Sequence, residues 1–91
     1  MEETAQETGS QEFKKSLSDW RDIIETISAF SNADGGTIQI GVSDDAKILG
    51  VSLGKTTLET LANQIRQNTD PVVFPSIEVV NKNGKKIIHS S

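Results

Sequence analysis

Leu17, Trp20, Ile23, Ile24, Ile27 and Phe30 recur every three or four residues, which puts them on one face of a helix. This spacing predicts a helix from about Asp19 to Asn32, with Ser16 and Ser18 as candidate caps and Asp19 and Asp22 suited to its first turn. Asn32-Ala33-Asp34-Gly35-Gly36 stops it, with a glycine free to take positive φ. The period then changes to two. Thr37-Ile38-Gln39-Ile40-Gly41-Val42 alternates and is β-branched, so it reads as a strand. Ser43-Asp44-Asp45-Ala46 reads as a turn, and Lys47–Val51 as the return strand of a hairpin. Thr56-Thr57-Leu58-Glu59 has the form of a capping box. Leu58, Leu61, Ala62 and Ile65 mark a second amphipathic helix ending near Asn68. After Asp70-Pro71 and Pro75, Ile77–Val80 and Lys86–Ile88 read as a hairpin across Asn83-Gly84, a favoured two-residue turn.

Upstream, Glu12-Phe13-Lys14 reads as a short edge strand and residues 1–6 as a disordered arm. The order is therefore β-α-β-β-α-β-β. The expected fold is α+β, two helices packed on a mixed or antiparallel sheet, in one domain spanning 7–91. The last strand still runs at Ile88-His89, so the chain is expected to be part of a longer protein.

Composition narrows the chemistry. The chain has 91 residues, 34% hydrophobic and 4% aromatic, enough for one small domain with a lean core. With no cysteine, a disulfide scaffold, a cysteine-ligated metal site and a thiol nucleophile are excluded, and one histidine leaves little room for triad chemistry. No apolar run reaches membrane-spanning length and no leader pattern is present, so a cytoplasmic protein without membrane contact is expected. The net charge of -4 is unevenly spread: the acids concentrate in residues 1–34, whereas bases slightly exceed acids in residues 35–91. An acidic chain can thus carry a local basic surface.

Three sets of residues carry candidate chemistry. Gly50-Val51-Ser52-Leu53-Gly54-Lys55-Thr56 approaches a phosphate loop but has three residues between its glycines where the pattern needs four. This argues against nucleotide hydrolysis and leaves a helix start beside Lys55 as a place for an anion. Lys82-Asn83-Gly84-Lys85-Lys86 puts three lysines around a hairpin tip, which suits either phosphate contact or a solvated turn. Glu7, Glu12, Asp44 and Asp45 are the acids of interest, because paired carboxylates beside a lysine can hold a divalent ion that activates water. Lys14, two residues beyond Glu12, shares its strand face.

Glu7-x4-Glu12-Phe13-Lys14, Ile27-Ser28-Ala29-Phe30-Ser31-Asn32, Gly35-Gly36-Thr37-Ile38-x-Ile40-Gly41-Val42-x-Asp44-Asp45, and the stretch from Gln64-Ile65 to Asn68-Thr69-Asp70-Pro71 together resemble the Schlafen-type AlbA domain. The resemblance covers about residues 7–88. It implies a DNA-binding domain of prokaryotic transcriptional regulators, a group once labelled divergent AAA ATPases, with further C-terminal domains in the parent protein. Members continue into another strand and an Arg-x-Gly-Ser-like segment that this sequence lacks. A sheet short of a final strand would leave an edge to pair with a second copy, so a homodimer is expected.

Two functions follow from the resemblance. The first is a DNA- or RNA-binding module in which Lys82, Lys85 and Lys86 contact phosphates, with Lys14, Lys55 and Arg66 in lesser roles. The second is the metal-dependent RNA endonuclease of animal Schlafen proteins. Its acids fall here at Glu7, Glu12 and Asp44 or Asp45, preferably Asp44, with Lys14 as the accompanying base and Mg²⁺ or Mn²⁺ as the ion. A protein-interaction or dimerisation module is a third reading, from a different class.

Overall fold

The computed structural model describes residues 10–33 and 35–91. Along the chain run β1 (Ser10–Lys14), α1 (Trp20–Ser31), β2 (Gly36–Ile40), α2 (Thr57–Gln67), β3 (Ile77–Lys82) and β4 (Lys85–Ser90). The strands form one mixed sheet in the order β1-β2-β4-β3. β1 and β2 are parallel, and β4 is antiparallel to both β2 and β3. A parallel pair needs a crossover, and α1 supplies it.

The helix periods translate directly into burial. Ile23, Ile24 and Ile27 of α1 and Leu61 and Ile65 of α2 pack on Ile38, Ile40 and Ile88 of the two central strands. Leu17, Trp20, Phe30 and Leu58 close the rim of this core. Because strand side chains alternate, Ile87 points to the opposite sheet face from Ile88, yet both are fully buried. α1 begins one residue later than its spacing implies, because Leu17–Asp19 forms a 3₁₀ turn. Ser16 caps that turn, its hydroxyl accepting from the Ser18 amide at 3.0 Å. Gly35, at φ +93°, ends the helix and donates to the Phe30 carbonyl.

Two expectations are corrected. Residues 47–51 do not form a strand; their pairing with β2's continuation shrinks to a single bridge between Val42 and Ile48. A hairpin ladder needs its bonds exchanged between two segments, and here they are divided. The Gly41 and Val42 amides donate to the Lys14 carbonyl, those of Leu49 and Gly50 to Gly41, and that of Val51 to Lys86. The capping box at Thr56 is also absent. Thr57 Oγ1 instead accepts from the Gly54 amide at 2.7 Å.

The loop after α2 has its own lock. The buried Thr69 hydroxyl donates to the Ile65 carbonyl and accepts from the Val73 amide, both at 2.8 Å. Among the described residues no helix is long and apolar enough to cross a membrane.

Candidate nucleic-acid interface

The β3–β4 hairpin turns through Asn83 and Gly84, both at positive φ (55° and 76°), the conformation that Asn-Gly favours in two-residue hairpins. This register sets Lys82 directly opposite Lys85, and Lys86 opposite Asn81. All three lysines are exposed. Lys85 is braced as well as exposed. Its stem crosses Gly50, where an added Cβ would stand 3.1 Å from Lys85 Cβ, and its Nζ donates to the Ile48 carbonyl at 3.5 Å. A side chain already held in place loses less rotamer freedom when it meets a ligand.

The bracing ties the hairpin to the segment just after the turn at residues 43–47, at the end of the sheet where β1 and β2 finish and β4 starts. In that turn the Ser43 hydroxyl donates to the Asp45 carboxylate and accepts from the Lys47 amide at 3.0 Å. Asp45 is held below the ordinary carboxylate range, first by the Ser43 hydroxyl, with smaller help from nearby backbone amides and the Lys15 charge. Lys15 and Lys47 are exposed. This end of the molecule therefore gathers Lys15, Lys47, Lys82, Lys85 and Lys86, with Asp44 and Asp45 among them. Sequence reasoning missed Lys15 and Lys47. The parallel pairing of β1 with β2 brings Lys15 to the turn, and the one clue in the sequence was its position just after a strand.

The other expected residues lie differently. Lys14 is a clamp between β1 and α1: its ammonium sits 2.5 Å from Asp22 Oδ2, and its side chain is only 11% exposed. A phosphate would have to displace Asp22 to reach it. Lys55 is exposed in the turn before α2, and Arg66, half-buried on α2, donates to the Asn63 side chain. No bond joins either of them to the hairpin.

The acids do not assemble into a metal site among the described residues. Glu12 is exposed in the middle of β1, opposite Ile38, and Asp44 is exposed in the 43–47 turn. No group of three potential ligands is found among the described residues, and Glu7 lies outside them. Of the three acids expected to hold Mg²⁺ or Mn²⁺, the structure places Glu12 and Asp44, and Lys14, expected beside them, is paired with Asp22. Part of the glycine loop is already engaged within the protein. The amides of Gly50, Val51 and Gly54 donate to Gly41, Lys86 and Thr57 within the protein, so they are not free for an anion.

The sequence model of the family described as Schlafen, AlbA_2 matches residues 7–90. No curated protein matches the chain. Among solved structures, the crystal structure of the DIP2311 protein from Corynebacterium diphtheriae is similar, with a TM-score of 0.75 at 14% identity. The match covers 98% of this chain but only 18% of that one. At that identity the likeness is one of fold.

Proposed function

The chain belongs to the Schlafen, AlbA_2 family, and on that premise we propose that it is the nucleic-acid-binding module of a cytoplasmic transcriptional regulator, holding DNA mainly through its phosphates. The observation that supports this reading is the cluster of Lys15, Lys47, Lys82, Lys85 and Lys86 at one end of a chain whose net charge is -4. An isolated lysine on a solvated turn has no partner to find. Five at one end of an acidic molecule outnumber Asp44 and Asp45 there, and the net positive potential attracts a polyanion and orients it. The hairpin supplies three of them on a rigid ribbon, a shape that follows a groove and contacts the backbone on its sides. The chain has no tyrosine, and its one tryptophan packs against the core, so neither residue type supplies a stacking platform.

Fluorescence anisotropy with labelled duplex DNA and with single-stranded RNA tests the reading, with Mg²⁺ in half the samples and the products run on a gel. Salt-sensitive binding of intact duplex supports it. Absence of binding to either nucleic acid at low salt refutes it. Divalent-dependent RNA cleavage that disappears in Glu12→Ala would install the endonuclease reading in its place.

A further inference from the structure

Among the described residues β3 pairs with a neighbour on one side only, so one row of its backbone amides and carbonyls is left without strand partners. Such an edge is a template for another strand. We infer that β3 pairs antiparallel with β3 of a second copy of this chain, with the two-fold axis at Val80, joining two four-stranded sheets into one.

Symmetry and charge select this register. A two-fold axis normal to a sheet keeps every side chain on its own face, so it must pass where a residue opposes its own copy. Within β3 the overlapping choices are Glu78, Val79, Val80 and Asn81. Centring on Glu78 sets two carboxylates against each other. Centring on Val79 sets Glu78 against valine, and centring on Asn81 sets Lys82 against valine. Only centring on Val80 places Glu78 opposite the partner's Lys82, and it does so twice.

The intramolecular register strengthens the choice. Glu78, Val80 and Lys82 share the sheet face turned away from the helices, where β4 sets His89, Ile87 and Lys85 beside them. Lys82 opposite Lys85 is a like-charge pair, destabilising when the protomer is alone. The partner's Glu78 on the other side of Lys82 relieves it, giving rows of Lys85, Lys82, the partner's Glu78 and the partner's His89. Between the two such rows lies an apolar one, Ile87 and Val80 of each copy. On the opposite face the exposed Val79 (39%) meets the partner's Asn81. The two hairpin tips then point in opposite directions, about 20 Å apart along the strands at the usual strand rise. The dimer does not depend on the nucleic-acid reading and is tested without nucleic acid.

Sedimentation equilibrium of the chain over micromolar to millimolar concentration should give a mass approaching twice that of one chain. Both charged residues are exposed, so exchanging them leaves the fold intact, as circular dichroism checks. Glu78→Lys converts both ion pairs into lysine–lysine oppositions and should weaken the dimer roughly tenfold to a hundredfold. Lys82→Glu should do the same by opposing two glutamates. The double exchange Glu78→Lys with Lys82→Glu should restore the dimer. A monomer at every concentration, a dimer indifferent to the single changes, or failure of the double exchange to restore pairing would each overturn the inference.

Discussion

Removing the hairpin lysines gives the sharpest test of electrostatic binding. Lys82, Lys85 and Lys86 are exposed, and Lys85 is braced toward the surface by Gly50 and the Ile48 carbonyl. If each neutralises one phosphate of a duplex, the slope of log K against log salt is about -2.7, at roughly 0.9 per contact. Raising salt fourfold then weakens binding by about 40-fold for the native chain and about 12-fold for a single Lys→Gln variant, since each lost contact removes a factor of about 3.5. The three-glutamine variant should keep only the shallow slope of the remaining lysines. If Lys15 and Lys47 also reach phosphates, the native slope steepens toward about -4.5 and replacing these two reduces it again. Anisotropy titrations at several salt concentrations read these slopes directly. A native slope near zero, or an unchanged slope in the three-glutamine variant, would refute hairpin phosphate contacts. Unfolding is not a rival explanation, because none of the three lysines is buried and urea midpoints should stay close to the native value.

Other predictions concern the scaffold. Gly50 stands at φ +83° with Lys85 Cβ 3.1 Å from where its Cβ would be, so Gly50→Ala should destabilise by about 1–2 kcal/mol and shift the Lys85 resonances. Urea denaturation and NMR measure the two effects. Thr69→Val removes both bonds of a buried hydroxyl and leaves the Val73 amide unpaired, with an expected loss of about 2 kcal/mol, visible as a lower thermal midpoint. Ile38→Ala empties a fully buried position between the helices and the sheet and should cost about 2–5 kcal/mol, enough to unfold much of a domain this small. Asp45 should titrate below its ordinary 3.8, so the stability it lends the 43–47 turn is full above that value and is lost as pH falls through the lower folded pKa. Ser43→Ala removes the largest cause and should bring the titration back toward 3.8, followed by carboxyl-carbon NMR.

Local pattern determined a good deal by itself. Ile23, Ile24 and Ile27 at helical spacing, Leu61 and Ile65 four residues apart, the alternation of Ile38 and Ile40, and Asn83-Gly84 in its two-residue turn each name an element and its buried face, because each signal lies within one element. The three hairpin lysines were visible for the same reason: a two-residue turn fixes which residues oppose. Tertiary structure decided what depended on partners distant in sequence. Residues 47–51 are β-branched enough to read as a strand, but their amides are claimed by Gly41 and by Lys86 of β4, and no ladder forms. Lys14 is expected to be a free base, yet it meets Asp22, eight residues away, because the chain turns back after β1 and sets the first turn of α1 beside the strand's end. Lys15 lies near Asp45, at the end of the sheet where β4 starts, because β1 runs parallel to β2. Strand order is the clearest case. Any of several orders would bury the same isoleucines, whereas packing α1 between two parallel strands and closing the β3–β4 hairpin leaves β3 at the edge. The opposition of Glu78 and Lys82 across a two-fold axis arises only there.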